Sequence, residues 1–130
     1  MAANEKMLKA LKNAKTHLEN SIKALKGNDE VSFDKTLWEA AAELEYALFL
    51  FSIKFQEEID TSEWRLNPEP KAIEASPLLT EAQNLLEKAE KGIVNGKLLD
   101  AYKSAYVARH YMLKVQENLA KKKREAQKSK

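Results

Sequence analysis

Apolar residues recur at three- and four-residue spacing along four stretches of the chain, and each stretch predicts a helix. Met7, Leu11, Ala14, Leu18, Ile22 and Leu25 form one stripe, which places a first helix over about Asn4–Lys26. Gly27-Asn28-Asp29 ends it with helix-stop and turn residues. A second helix is expected from Ser32 to Ile59. In the third, Leu79, Ala82, Leu86, Ala89 and Ile93 share a stripe, Ser76-Pro77 read as cap and first turn, and Asn95-Gly96 close it. The fourth runs from about Leu98 to Leu119, with Leu99, Tyr102, Tyr106 and Leu113 expected to face inward. Pro68 and Pro70 keep the segment between Asp60 and Ser76 out of regular helix. Such a connection could cross the end of a bundle, with Trp64 and Leu66 against it.

The predicted fold is therefore all-α: a four-helix bundle of two antiparallel helical hairpins joined by a long proline-containing connection. An internal repeat accompanies it. Leu11, Ala14, Leu18 and Leu25 match Leu79, Ala82, Leu86 and Ile93 at a constant offset of 68.

The second helix departs from the single-stripe pattern. Phe33, Leu37, Ala41, Leu44, Leu48, Phe51 and Phe55 make one apolar face, equivalent to the stripes of the other helices. Ala42, Tyr46, Phe49, Leu50 and Ile53 make another, on nearly the opposite side. A helix in a four-membered bundle shows one side to solvent, and soluble monomers rarely expose a contiguous apolar patch of several hundred Å². The favoured cover is a second subunit, with the helix pairing against its symmetry mate as a homodimer. The Trp64 segment folding back, or a foreign helix, are the alternatives.

Composition adds limits. One domain over residues 1–120 suits a chain of 130 residues, and 44% apolar with 32% charged residues suits a globular protein. The net charge of +2 is unevenly spread. Residues 120–130 carry six positive charges and one negative, leaving 16 Lys/Arg against 19 Asp/Glu in the first 119. A basic tail, 121–130, thus follows an acidic body; nucleic-acid contact through it is one further reading, with no aromatic platform to support it. The longest apolar run, Tyr46–Phe51, is far too short to span a bilayer, and the N-terminal stretch is amphipathic rather than signal-like. A cytoplasmic location is expected.

Chemistry is sparse. Without cysteine there is no thiolate, disulfide or zinc-thiolate site. His17 and His110 are the two histidines, and neither follows a glutamate by three residues, as the di-iron bundles require. No metal or cofactor is expected, and no serine stands in a recognisable nucleophile arrangement. Arg109 falls on the stripe of Tyr102, Tyr106 and Leu113, where its charge needs a partner, and Glu45 is the expected one. Arg109, His110, Tyr106 and Lys103 form the candidate anion or nucleotide site.

The segment LENSIKALKGNDEVSFDKTLWEAAAELEYAL, residues 18–48, resembles the first hairpin of HEPN-type domains (higher eukaryotes and prokaryotes nucleotide-binding). Leu18, Gly27, Asp29, Trp38, Ala40, Ala41 and Ala42 carry the likeness. The resemblance implies a bundle that dimerises, sometimes as a ribonuclease toxin or beside a nucleotidyltransferase. The family's ribonuclease motif sets an arginine four to six residues before a histidine. Here Arg109 and His110 are adjacent and Lys103 stands seven before His110, which implies a non-catalytic member. The expected function is a non-enzymatic interaction module, homodimeric through the second helix; the alternative is a nucleotide- or RNA-acting protein using Arg109 and His110.

Overall fold

The computed structural model describes residues 2–56 and 75–128. They form α1 (Ala2–Lys26), α2 (Glu30–Gln56), α3 (Ala75–Val94) and α4 (Leu98–Lys128), packed as a four-helix bundle. Among the described residues no helix is long and apolar enough to cross a membrane. α4 is longer than its apolar pattern predicts, continuing as helix through the basic residues beyond Leu119. Lysine, arginine, glutamate and alanine are strong helix formers, and lysines suit a helix C-terminus.

The two hairpin turns are built alike. In the first, the Asp29 N–H donates to the Ala24 carbonyl at 2.9 Å and the Asn28 N–H to Leu25 at 3.2 Å. In the second, the Lys97 N–H donates to Gly92 at 2.7 Å and the Gly96 N–H to Ile93 at 3.2 Å. Both are paired six-to-one and five-to-two closures of a helix C-terminus, with Asn28 (φ 58°) and Gly96 (φ 76°) at the left-handed position. Every one of these positions differs from its counterpart by 68, the offset of the repeated stripes. The equivalence extends into the next helices: Phe33, Leu37, Ala40, Leu44 and Ala47 are buried, and so are Ala101, Ala105, Ala108, Met112 and Val115. The two hairpins are structural repeats of one another.

Asp29 also caps α2. Its Oδ1 accepts the Ser32 backbone N–H at 3.2 Å, which starts the helix two residues before the expected Ser32. Hydrogen bonds from the Ser32 hydroxyl and then its backbone hold the Asp29 carboxyl below its usual 3.8.

Neighbouring helices run antiparallel around a square. α1 touches α2 and α3, α4 touches α3 and α2, and the pairs α1/α4 and α2/α3 lie on the diagonals. Lys15 Nζ lies 3.3 Å from both carboxylate oxygens of Glu90 between α1 and α3. Phe51 and Tyr102 stack tilted, with ring centroids 5.6 Å apart, between α2 and α4. Leu25, Ala75 and Ser76 line one groove, so α3 begins at the end of the bundle where α2 begins. Gln56 and Ala75 are thus at opposite ends, separated by the length of α2, about 40 Å at ~1.5 Å per residue. The expected packing of Trp64 and Leu66 lies outside the described residues.

The core stripes of α1 and α3 are as the periodicity predicts, except that Leu25 is half-buried. α2 buries Ala40 and Ala47 while Ala41 is half-buried. α4 corrects its predicted phase. Its inward face is Ala101, Ala105, Ala108, Met112 and Val115, whereas Leu99, Tyr102, Tyr106 and Leu113 are half-buried beside it. The reason is close packing on α3: a Cβ on Gly92 would stand 3.0 Å from the Ala101 Cβ. At that approach only a small side chain fits between the backbones, and Tyr102 stands at the seam with α2.

Candidate interaction surface

The outward face of α2 carries the largest exposed apolar side chains among the described residues. Trp38 is 68% exposed, Phe49 59%, Ile53 52% and Tyr46 47%. With Val31, 80% exposed, and the exposed Ala42, they form one stripe along the helix. Projected at about 100° per residue, this stripe lies opposite the face of Phe33, Leu37, Leu44 and Phe51. Four of the five expected interface residues, Ala42, Tyr46, Phe49 and Ile53, stand on it. Leu50 is turned toward α1, half-buried and packed on the core. Val31 and Trp38 are additions that the helical projection already contained, since each falls within a few tens of degrees of Phe49.

A polar contact between helices frames the stripe on each side. Toward α1, His17 Nδ1 lies 3.1 Å from Glu39 Oε2. Toward α4, Arg109 Nε donates to Glu45 Oε1, the partner expected for it. The Arg109 side chain is 36% exposed and that of Glu45 52%, so the pair is a solvated seam contact. Of the other anion-site residues, Lys103 and Tyr106 are half-buried and His110 is exposed. Those three share one strip of α4 by their three- and four-residue spacing, while Arg109 turns about 100° from His110 toward α2. Among the described residues no group of three or more acidic or histidine side chains gathers to hold a metal ion. At the bundle end, Lys122 shares a groove of about 450 Å³ with Asp29, Glu30 and Asp34, so acidic residues face the basic end of α4.

The repeat supplies an internal control for the stripe. Adding 68 to Val31, Trp38, Ala42, Tyr46, Phe49 and Ile53 gives Leu99, Tyr106, His110, Lys114, Glu117 and Lys121. Leu99 and Tyr106 pack on the core, and the remaining four are polar and exposed. The two hairpins keep the same buried positions yet differ in what they show outside. An apolar outward face is therefore no requirement of the fold; it is peculiar to α2.

No family model, curated protein or solved structure matches the chain.

Proposed function

We propose that the protein is a non-enzymatic helical interaction module that works as a homodimer, with the outward face of α2 as the contact. The observation that carries this reading is the exposed stripe of Val31, Trp38, Ala42, Tyr46, Phe49 and Ile53, absent from the equivalent face of α4. Trp and Tyr are the residues that most often anchor protein contacts, and depletion of charge along the centre with charges at the rim is how an interface is composed. A second copy suits this surface because its line is apolar except at Lys35 and it carries both signs of charge at its edges, so it complements itself. His17 and Arg109 support the non-enzymatic reading, since each is held against a carboxylate of a neighbouring helix.

Sedimentation of the purified chain at micromolar concentration tests the proposal, with a dimer as the expected species. Phe49→Glu removes a half-exposed ring from each of two symmetry-related sites and sets two carboxylates against apolar surface. It should weaken association by at least about a hundredfold while leaving the monomer helical and as stable as before. A wild-type monomer whose melting temperature falls on the same substitution would show that residues of its own chain cover the stripe. Cleavage of RNA, lost on His110→Ala, would replace this reading with the HEPN-like one.

A further inference from the structure

We propose that the last turns of α4 form an arm that binds double-stranded DNA, lying in the major groove and contacting phosphates. The charge of the chain is sorted by helix. α4 carries eight lysines and arginines against three acidic residues, while residues 27–97 carry seven against fifteen. α1 is also basic, six against two, but its lysines are spaced along its length. In α4 four cations follow one another at positions 121–124.

The fold decides where those four stand. Gly92 lies against Ala101, so Ala75, seventeen residues before Gly92, is level with Asn118, seventeen after Ala101. Ala75 and Asn118 do line one groove. Residues 119–128 therefore run about 15 Å past the start of α3, at ~1.5 Å per residue. On one side of this arm Lys122 shares a groove with Asp29, Glu30 and Asp34 at the start of α2. At about 100° per residue, Lys121 and Arg124 stand elsewhere round the axis. Both are exposed and form no ion pair among the described residues.

The composition of the arm selects the partner. Residues 120–128 include no apolar side chain larger than alanine, so they have nothing to bury in a membrane or an apolar groove. They include no aromatic ring on which the bases of a single strand could stack. What they offer is positive charge on more than one side, because four consecutive helical positions go once round the axis. A flat anionic surface meets only one side of such a helix. The major groove of DNA, about 12 Å wide, admits a helix of ~10–12 Å and sets phosphates along both walls.

Fluorescence anisotropy of a labelled DNA duplex of mixed sequence, titrated with the full chain, tests this. Contact with about four phosphates predicts that log K falls against log salt with a slope of ~−3.6. Binding should thus weaken about a hundredfold between about 50 and 200 mM salt. Joining Lys121→Gln and Arg124→Gln in one chain should halve the slope and leave the melting temperature unchanged, since both side chains are exposed. Glu125→Gln removes the only acid of the arm and should tighten binding several-fold, a gain that a damaged fold does not give. An RNA duplex of the same sequence should bind at least about tenfold more weakly, its major groove being too narrow for a helix. No binding to DNA at about 50 mM salt, or a slope that the double variant leaves unchanged, overturns the proposal. Equal affinity for the RNA duplex overturns the groove, and equal affinity for phosphatidylserine vesicles overturns DNA as the partner.

Discussion

Arg109 and Glu45 tie α2 to α4 through a charged hydrogen bond, and its worth is set by how wet it is. Two unit charges about 4 Å apart attract by ~1 kcal/mol in water and ~4 kcal/mol at the effective dielectric near a protein surface. The lower figure governs here, since the side chains are 36% and 52% exposed. Fixing two flexible side chains costs part of that, which leaves ~0.2–1 kcal/mol. The perturbation is a double-mutant cycle of Arg109→Met and Glu45→Gln, built in the Phe49→Glu background so that association does not enter. Urea unfolding should return a coupling of about 0.5 kcal/mol, shrinking by more than half in 1 M salt, where the screening length is ~3 Å. Arg109→Met alone should shift the melting temperature by only ~1–3 °C. A coupling above ~2 kcal/mol, insensitive to salt, would mean that the pair is desolvated and that the seam between α2 and α4 is closed. Zero coupling would mean that the cost of fixing the two side chains cancels their attraction.

Two further predictions concern the turns. Asp29→Ala should lower the melting temperature by a few degrees, as the loss of an N-cap does, whereas Asp29→Asn should keep most of the cap. Because the Asp29 carboxyl titrates below 3.8 in the fold, its contribution is present above that value and is lost as pH falls through the lowered one. The wild-type advantage over Asp29→Asn should thus fade on acidification, and a constant difference across acid pH would refute the cap. Gly96→Ala should destabilise by about 1 kcal/mol although nothing crowds its Cβ, because the backbone there is left-handed at φ 76°. Gly96→Asn, which copies the equivalent Asn28, should cost about half as much in the same denaturation assay.

Four helices, two hairpins and the stripes of α1 and α3 were legible in the sequence, because each of those helices buries one face and its apolar period is undiluted. The repeat was legible for the same reason, although only hydrogen bonds reveal that Asn28 and Gly96 do the same work in the two turns. The Arg109–Glu45 pair was also readable, as a charge on an apolar stripe in search of the nearest carboxylate. The phase of α4 was not. Its tyrosines and leucines are larger than its alanines, and a periodicity weighted by size points them inward. The close approach of α3 at Gly92 explains the small residue at Ala101, and only the packed helices show which further positions of α4 face inward. The run of the square, and with it the separation of Gln56 from Ala75, is likewise invisible in a pattern, since a stripe says that a face is buried and not which helix covers it. The surplus on α2 was visible as composition. Its confinement to one line of exposed side chains, with Leu50 drawn back to the core, required knowing where α1 and α4 stand.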